Sequence, residues 1–216
     1  MSLVEQPRII TLNELRSLAL RAIGLINVLY LHWTAGRYDQ VFDDYHLNIG
    51  KNGEIYLTCH DLSEKKAHTW RRNSNAAGIT LCCCLGAKAR TMSNAPPIID
   101  YGPCSPTQAQ IETMAQVIAI ITEICGLDIS EETVMTHQEA ATLDGYGPGS
   151  GDPETRWDLW YLPDRPVTDR LVQGGRVLRG KAIWYRFQHY ANSLKVPEDE
   201  AKINWRREGV HASTSS

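Results

Sequence analysis

Three residues with metal-binding side chains follow predicted strands or loops of the sequence. His32 lies near the end of the apolar run LINVLYLHW, whose short length and β-branched residues predict a buried strand. His137 follows a second short predicted strand, TVMT, and Asp158 follows a glycine- and proline-rich loop. Two imidazoles and one carboxylate form a zinc ligand set with an open fourth position. Their spacing matches no short zinc motif, so the local pattern also allows a histidine satisfied by a neighbouring carbonyl group.

An α/β core is predicted around these residues. Thr11 and Thr107 each begin a capping-box pattern, and apolar residues follow at helical spacing until a glycine ends each pattern. The dipeptide Asn52-Gly53 joins two short apolar segments and predicts a β-hairpin. We therefore expect an α/β fold with a mixed central β-sheet flanked by helices.

Length and composition limit the class of protein. The 216 residues, 43% of them hydrophobic, suffice for one sizeable core and a smaller appendage. No apolar window approaches the length of a transmembrane segment, and the first residues show no basic stretch followed by an apolar core. We therefore expect a cytoplasmic chain without membrane insertion. The six cysteines show no paired C-x-x-C spacing, which favours reduced thiols.

Charge is distributed unevenly along the chain. Residues 1–164 contain 12 Lys and Arg against 20 Asp and Glu, whereas residues 165–216 contain 10 against 5. We predict a catalytic domain over residues 1–164 and a basic helical extension over residues 165–216. Apolar residues recur at helical spacing in this extension: Ile183, Trp184, Phe187, Ala191 and Leu194. The pattern predicts an amphipathic basic helix that either docks on the acidic core or binds an anionic cell-wall polymer.

Three consecutive cysteines, Cys82 to Cys84, lie in the predicted strand 78–86. Free cysteine packs as a small hydrophobic residue, so a position in the core is the favoured interpretation. A cysteine hydrolase built on Cys82, or on Cys59 with His60, is an alternative from a different chemical class.

Six stretches, in this order, resemble the zinc-dependent N-acetylmuramoyl-L-alanine amidases of the amidase-2 or peptidoglycan recognition protein family: LHWTAG, DDYHLNIGKNGEIY, KAHTWRRNSNAAGITL, SPTQAQIETM, MTHQEAA and ETRWDLWYLP. The resemblance runs from about Leu25 to Pro163. It implies an α/β fold and a zinc ion bound by His32, His137 and Asp158. Zinc with three protein ligands lowers the pKa of its bound water toward about 7 and polarises the scissile carbonyl group.

The resemblance also implies roles for residues around the zinc ligands. Tyr45 falls on a tyrosine used by bacteriophage members, and a reference pKa of about 10 makes it a better hydrogen-bonding group than a base. Arg156 falls where lysine is common, and because it stays protonated we expect it to stabilise the oxyanion. Cys82 falls where some bacterial members carry a catalytic glutamate, which leaves the general base unassigned.

Substrate contacts are expected from His68, Trp33 and Thr34. His68 lies in a stretch that resembles the substrate rim of the family and is a candidate proton carrier, with a solvent-exposed loop histidine as the alternative. The expected partner is peptidoglycan or a muropeptide, and we expect neither nucleic acid nor a membrane as partner. The oligomeric state is left open.

The resemblance implies an enzyme that hydrolyses the amide between N-acetylmuramic acid and L-alanine. We expect an endolysin of phage or prophage type, which is bacteriolytic when it is released from the cytoplasm onto the cell wall. A cytoplasmic amidase that recycles muropeptides is the first alternative. A non-catalytic peptidoglycan-binding module is the second, and the presence of Asp158 argues against it because some such relatives have lost the third ligand.

Overall fold

A computed structural model describes residues 2–92, 95–163 and 171–193. The elements of these ranges are, in chain order, β1 (Arg8–Ile10), α1 (Leu12–Arg21), β2 (Val28–Trp33), β3 (Leu47–Ile49), β4 (Ile55–Leu57), β5 (Ala76–Leu81), β6 (Lys88–Met92), β7 (Ala95–Asp100), α2 (Gln108–Cys125), β8 (Val134–Thr136), α3 (His137–Leu143), β9 (Tyr161–Pro163), β10 (Leu171–Gln173) and α4 (Gly174–Ser193).

Six of the strands form one mixed sheet in the order β1-β4-β3-β5-β2-β8. Strand β2 pairs in parallel with both β5 and β8, and β3 is parallel to β5. The antiparallel pairs β3-β4 and β1-β4 complete the other side of the sheet. Because β2 and β5 lie inside the sheet, nearly all of their residues are buried. The predicted α/β fold with a mixed central sheet is confirmed.

Local sequence signals position the first two long helices and the hairpin. The hydroxyls of Thr11 and Thr107 accept hydrogen bonds from the backbone N–H groups of Glu14 and Gln110, which completes both predicted capping boxes. The hairpin between β3 and β4 is also confirmed, and its Gly53 has a positive φ of 91°.

The main core lies between the sheet and a helical layer in which α1 and α4 both pack on α2. Its largest fully buried side chains include Leu15 of α1, Leu31 of β2, Ile79 of β5 and Met114 of α2. Among the helices that the structure describes, none combines the length and the apolar character needed to span a bilayer.

The orientation of α4 differs from what its amphipathic pattern suggests. Its apolar residues Ile183, Trp184 and Phe187 face solvent, with 54%, 55% and 62% of their surface exposed. Leu194, which continues the predicted apolar face, lies outside the described residues. The apolar face identified by its helical spacing is therefore the outer face of α4.

Three of the four Lys and Arg residues of α4 contact the core instead, and the fourth, Arg176, is exposed. Arg179 forms an ion pair of 2.9 Å with Glu139 of α3, and Lys181 forms one of 2.8 Å with Glu112 of α2. Arg186 donates a hydrogen bond to the backbone oxygen of Leu127. These contacts dock the described part of the basic extension on acidic residues of the core. The proposed domain boundary after residue 164 stays a prediction, since residues 164–170 lie outside the described ranges.

Candidate metal centre

The three predicted metal ligands converge on one point. The Nδ1 atoms of His32 and His137 are 3.1 Å apart, and the Oδ2 atom of Asp158 lies 3.5 Å from the first and 3.3 Å from the second. Ligand atoms about 2.0–2.1 Å from a tetrahedral zinc ion lie roughly 3.3–3.4 Å from one another. The three distances therefore match the edges of one face of a tetrahedron around such an ion. Among the described residues, this is the one group of three His, Cys, Asp or Glu side chains with that arrangement.

The register of the parallel strands brings the two histidines together. Leu31 of β2 pairs with Thr136 of β8, so the residues that follow them, His32 and His137, are neighbours at the same edge of the sheet. Thr136 then caps α3 through a capping box with Glu139, which fixes His137 as the first residue of the helix. The sequence analysis did not identify this third capping box.

Asp158 comes from the loop after α3 and is tied to the same place by the backbone. The N–H group of Gln138 donates to the carbonyl oxygen of Asp158 over 3.3 Å. Leu159, the next residue, has a positive φ of 58° and turns the chain away from the centre. A strand end, a helix start and a loop therefore supply one ligand each.

The protonation states suit a cation. Burial lowers the pKa of His32 to about 4, so its imidazole is neutral at neutral pH. Burial acts to raise the pKa of Asp158, but the adjacent imidazoles of His137 and His32 outweigh it and leave the pKa below its usual range. Because a neutral imidazole and a carboxylate both offer lone pairs, the donor set fits zinc.

The centre lies at a cavity of about 990 Å³. Its wall includes two of the ligands and all five of the other predicted site residues: Trp33, Thr34, Tyr45, His68, His137, Arg156 and Asp158. His32 is fully buried beneath this wall. The structure therefore brings all eight predicted site residues to one place, although their roles are not established by position alone.

The two predicted catalytic residues occupy different depths of the cavity. The ring of Tyr45 lies 5.0 Å from that of His32, and burial, followed by the charge of Asp158, raises its pKa well above the usual value. Tyr45 therefore keeps its proton and can donate a hydrogen bond. Arg156 is exposed and forms a 3.1 Å ion pair with Glu154 at the surface.

Trp33 and Thr34 shape the wall beside the first ligand. The indole of Trp33 packs edge-on against that of Trp157 at 5.0 Å. The hydroxyl of Thr34 accepts hydrogen bonds from the backbone N–H groups of Gly36 and Cys83. Backbone groups thus hold this hydroxyl in the turn after β2, and the assignment of both residues to substrate binding stays a prediction.

His68 is buried, with 6% of its surface exposed, so the alternative of a solvent-exposed loop histidine is wrong. Its Nδ1 atom lies 2.9 Å from the hydroxyl oxygen of Thr69. The imidazole packs against the backbone of Gly78, where an added Cβ would come within 2.6 Å of the ring. His68 is thus part of the layer that supports the metal centre as well as of the cavity wall.

Two hydroxyl groups that the sequence analysis missed contact the outer nitrogens of the ligand histidines. The Thr69 hydroxyl lies 3.2 Å from Nε2 of His32, and the Tyr146 hydroxyl lies 3.4 Å from Nε2 of His137. Metal-binding histidines usually have such a partner on the second ring nitrogen. That rule could have prompted a search for polar partners, but no sequence pattern identifies these two.

The assignment of Cys82 to the position of a catalytic glutamate is not supported. Strand β5 ends at Leu81, and the β5 residue that pairs with His32 is Thr80. Cys82 is not among the described residues that line the cavity. Thr80 is fully buried at this position. The register therefore identifies Thr80 as the β5 residue beside the first ligand.

The cysteine hydrolase alternative has no geometric support either. Neither Cys59 nor His60 lies in the described cavity wall, and His60 is exposed. Burial raises the pKa of both Cys59 and Cys82 to about 12, so both thiols stay protonated at neutral pH. Cys82, Cys83 and Cys84 are fully buried, as the packing interpretation predicts.

The fold and the converging ligand atoms define a class of α/β protein with a candidate metal centre, and a family comparison specifies it. The family model described as N-acetylmuramoyl-L-alanine amidase, Amidase_2, matches residues 24–153, more than half of the chain. The chain belongs to this family of peptidoglycan amidases. The match contains His32 and His137 and ends before Asp158. Comparisons with curated proteins and with solved structures returned no match.

Proposed function

We propose that the protein is a zinc-dependent amidase that cuts the amide bond between the lactyl group of N-acetylmuramic acid and L-alanine. The observation that carries this proposal is the triangle of 3.1, 3.3 and 3.5 Å between the ligand atoms of His32, His137 and Asp158. Family membership supports the amide bond of peptidoglycan as the substrate class. The cavity of about 990 Å³ above the ligands offers room for a muramyl peptide.

A zinc ion held by these three ligands would supply a Lewis acid that polarises a carbonyl group and makes water acidic enough to react near neutral pH. Tyr45, which keeps its proton, donates a hydrogen bond to an oxygen of the reacting group. The guanidinium of Arg156 stays charged and stabilises the negative charge that develops on the carbonyl oxygen. To do so, Arg156 must break its ion pair with Glu154 or keep this ion pair while it also contacts the substrate. Its exposed position permits this movement.

Metal analysis and chelation test the proposal directly. We expect about one zinc ion per purified chain, and we expect a chelator to abolish hydrolysis of a small muramyl peptide until zinc is added back. A thiol alkylator should leave the rate unchanged, because no described cysteine is a proposed ligand or catalytic residue and Cys84, which lines the cavity, is fully buried. A protein without zinc whose rate resists chelation would disprove the proposal. A protein that binds peptidoglycan without hydrolysing it would instead be a binding module.

We further propose that intact cell wall is the natural substrate, as for an endolysin that is made in the cytoplasm and released onto the wall. Support comes from the excess of basic residues over 165–216. Arg179 and Lys181 are engaged by core carboxylates. Attraction to the wall must therefore come from Arg176, which is exposed, and from basic residues outside the described ranges.

The rates on purified sacculi and on a small soluble muramyl peptide distinguish the two settings. The full chain is used, because removal of α4 would uncover the face of α2 on which it packs. We expect sacculus hydrolysis to fall as salt rises, while hydrolysis of the small peptide changes little. Activity confined to the soluble fragment would assign the protein to muropeptide recycling.

A further inference from the structure

We propose that Thr69 is a positioning residue for the metal centre. Its hydroxyl group bridges His32 and His68, and it holds His32 in the tautomer whose Nδ1 lone pair points at the metal position. This inference rests on the proposed zinc-dependent function. It adds a determinant of metal affinity that lies outside the ligand set.

The three side chains form a continuous buried chain of hydrogen bonds. The Oγ1 atom of Thr69 lies 3.2 Å from Nε2 of His32 and 2.9 Å from Nδ1 of His68. All three residues are buried, so water does not compete freely for these contacts. The hydroxyl can donate one hydrogen bond and accept another at the same time.

A cation bound at the centre would set the direction of these hydrogen bonds. The Nδ1 atom of His32 faces His137 and Asp158, so this nitrogen must carry a lone pair for the group to bind a cation. The proton of the neutral ring then resides on Nε2, which donates to the Thr69 oxygen. The Thr69 hydroxyl is left to donate its own proton to Nδ1 of His68. In this direction His68 is protonated on Nε2, a buried atom without a hydrogen-bond partner among the described residues.

Neighbouring residues hold Thr69 and His68 in place. The N–H group of Thr69 donates to the side-chain oxygen of Asn73 over 2.8 Å. Arg72, in the same turn, forms a two-pronged ion pair with Asp144, with both distances 2.6 Å. The ring of His68 lies against Gly78, where no side chain could fit. The hydroxyl of Thr69 is therefore held in place rather than freely rotating.

Loss of this hydroxyl would remove the partner of a buried N–H group. A buried donor without a partner is unfavourable, so His32 would shift toward the tautomer protonated on Nδ1 or would rotate. The tautomer shift places a hydrogen atom where the metal requires a lone pair. The rotation moves the ring nitrogen away from that position. Loss of an outer-sphere partner typically weakens metal binding about 10- to 100-fold.

Three variants of the full chain test the proposal. Thr69→Val keeps the shape and removes the hydroxyl, whereas Thr69→Ser keeps the hydroxyl. Thr122→Val is the matched control, because it removes a fully buried hydroxyl that bonds only to backbone oxygens within α2. The readouts are the zinc dissociation constant, measured by competition with a chromophoric chelator, and the tautomer of His32, measured by ¹⁵N NMR of the zinc-free protein.

We expect Thr69→Val to weaken zinc binding about 10- to 100-fold. We expect Thr69→Ser and Thr122→Val to bind zinc like the wild type. The NMR spectra should show His32 protonated on Nε2 in the wild type and in Thr69→Ser, with that preference lost in Thr69→Val.

Wild-type zinc affinity in a folded Thr69→Val variant would overturn the inference. If that variant does not fold, the wild-type spectrum still decides, because a His32 protonated on Nδ1 would contradict the proposed direction. A wild-type protein that binds no zinc would instead overturn the proposed function.

Discussion

Two buried polar regions lie on opposite sides of the same short segment, the junction of β8 and α3. On one side, His137 joins His32 and Asp158 at the metal centre. On the other side, Arg179 of α4 donates to the backbone oxygen of Val134 over 2.9 Å and forms a two-pronged ion pair with Glu139. The segment thus connects the candidate metal centre with a structural contact.

The two regions differ in the balance of donors and acceptors. Around Arg179, a cation with several N–H donors meets the carboxylate of Glu139, a carbonyl oxygen and, at 3.4 Å, the exposed carboxylate of Glu131. At the centre, a carboxylate oxygen and two imidazole nitrogens converge, and no lysine or arginine is among the described residues of this group. Burial of ionisable groups therefore does not by itself identify a site. Convergence of three atoms that can all offer lone pairs to one ion is the feature that indicates a cation site.

The sharpest contrast between the regions should appear in metal binding. We expect His137→Ala to lose both zinc and hydrolytic activity, because one corner of the ligand triangle is removed. Arg179→Met should retain zinc when folded. Elemental analysis and a rate measurement on a muramyl peptide check both variants. Equal zinc content in the two proteins would show that His137 is not required for metal binding.

The free energy of unfolding should fall more in Arg179→Met than in His137→Ala. Arg179→Met leaves the partly buried Glu139 without its partner, and we expect the free energy of unfolding to fall by about 3 kcal/mol. A urea titration of the zinc-free protein measures this loss. Arg179→Met combined with Glu139→Gln should recover part of it, because no uncompensated charge remains. A loss under about 0.5 kcal/mol would show that Arg179 contributes no more to stability than an ordinary surface residue.

Residues at the cavity should affect the reaction without affecting the metal. We expect Arg156→Ala to lower kcat about 100-fold with zinc still bound, because it removes a charge that stabilises the transition state. Arg156→Lys should retain much of the activity, and Tyr45→Phe should lower kcat less than Arg156→Ala. Steady-state kinetics and zinc analysis on the same samples provide the test. Loss of zinc from Arg156→Ala would contradict its assignment.

The smallest effect is expected at the second ion pair of α4. Burial acts to raise the pKa of Glu112, but hydrogen bonds from Lys181 and Tyr185 outweigh it and lower the pKa below 4.5. A lowered pKa stabilises the fold above pH 4.5, and this contribution is lost as the pH falls through the folded-state value. Because the pair is partly exposed, we expect a contribution of no more than about 1 kcal/mol.

Paired urea titrations at pH 6 and pH 3.5 measure this contribution. The difference in unfolding free energy between the two pH values should be smaller in Glu112→Gln than in the wild type. The same pH dependence in both proteins would show that Glu112 does not contribute to the docking of α4.

Much of the local structure was predictable from short-range patterns. A capping box involves residues three apart, and a two-residue hairpin turn depends on its own backbone angles, so both are visible in a few letters of sequence. The capped helix starts at Thr11 and Thr107 and the hairpin at Gly53 were predicted for this reason. The positions of the metal ligands came from the ordered resemblance to a family, since their separations carry no local signal.

Other features depended on contacts between distant parts of the chain. Helical spacing showed that Ile183, Trp184 and Phe187 share a face, but only packing on α2 decided that this face points to solvent. The register of β5 against β2 placed Thr80, rather than Cys82, beside His32.

The amino-acid sequence alone indicates which residues could bind a metal and which residues share a helix face or begin a helix. How those residues are supported depends on the fold. The contact from Thr69 to His32 spans 37 positions, and it depends on a turn held by Arg72 and Asp144, which are 72 positions apart. Such contacts follow from strand register and loop path, which no short stretch of sequence specifies.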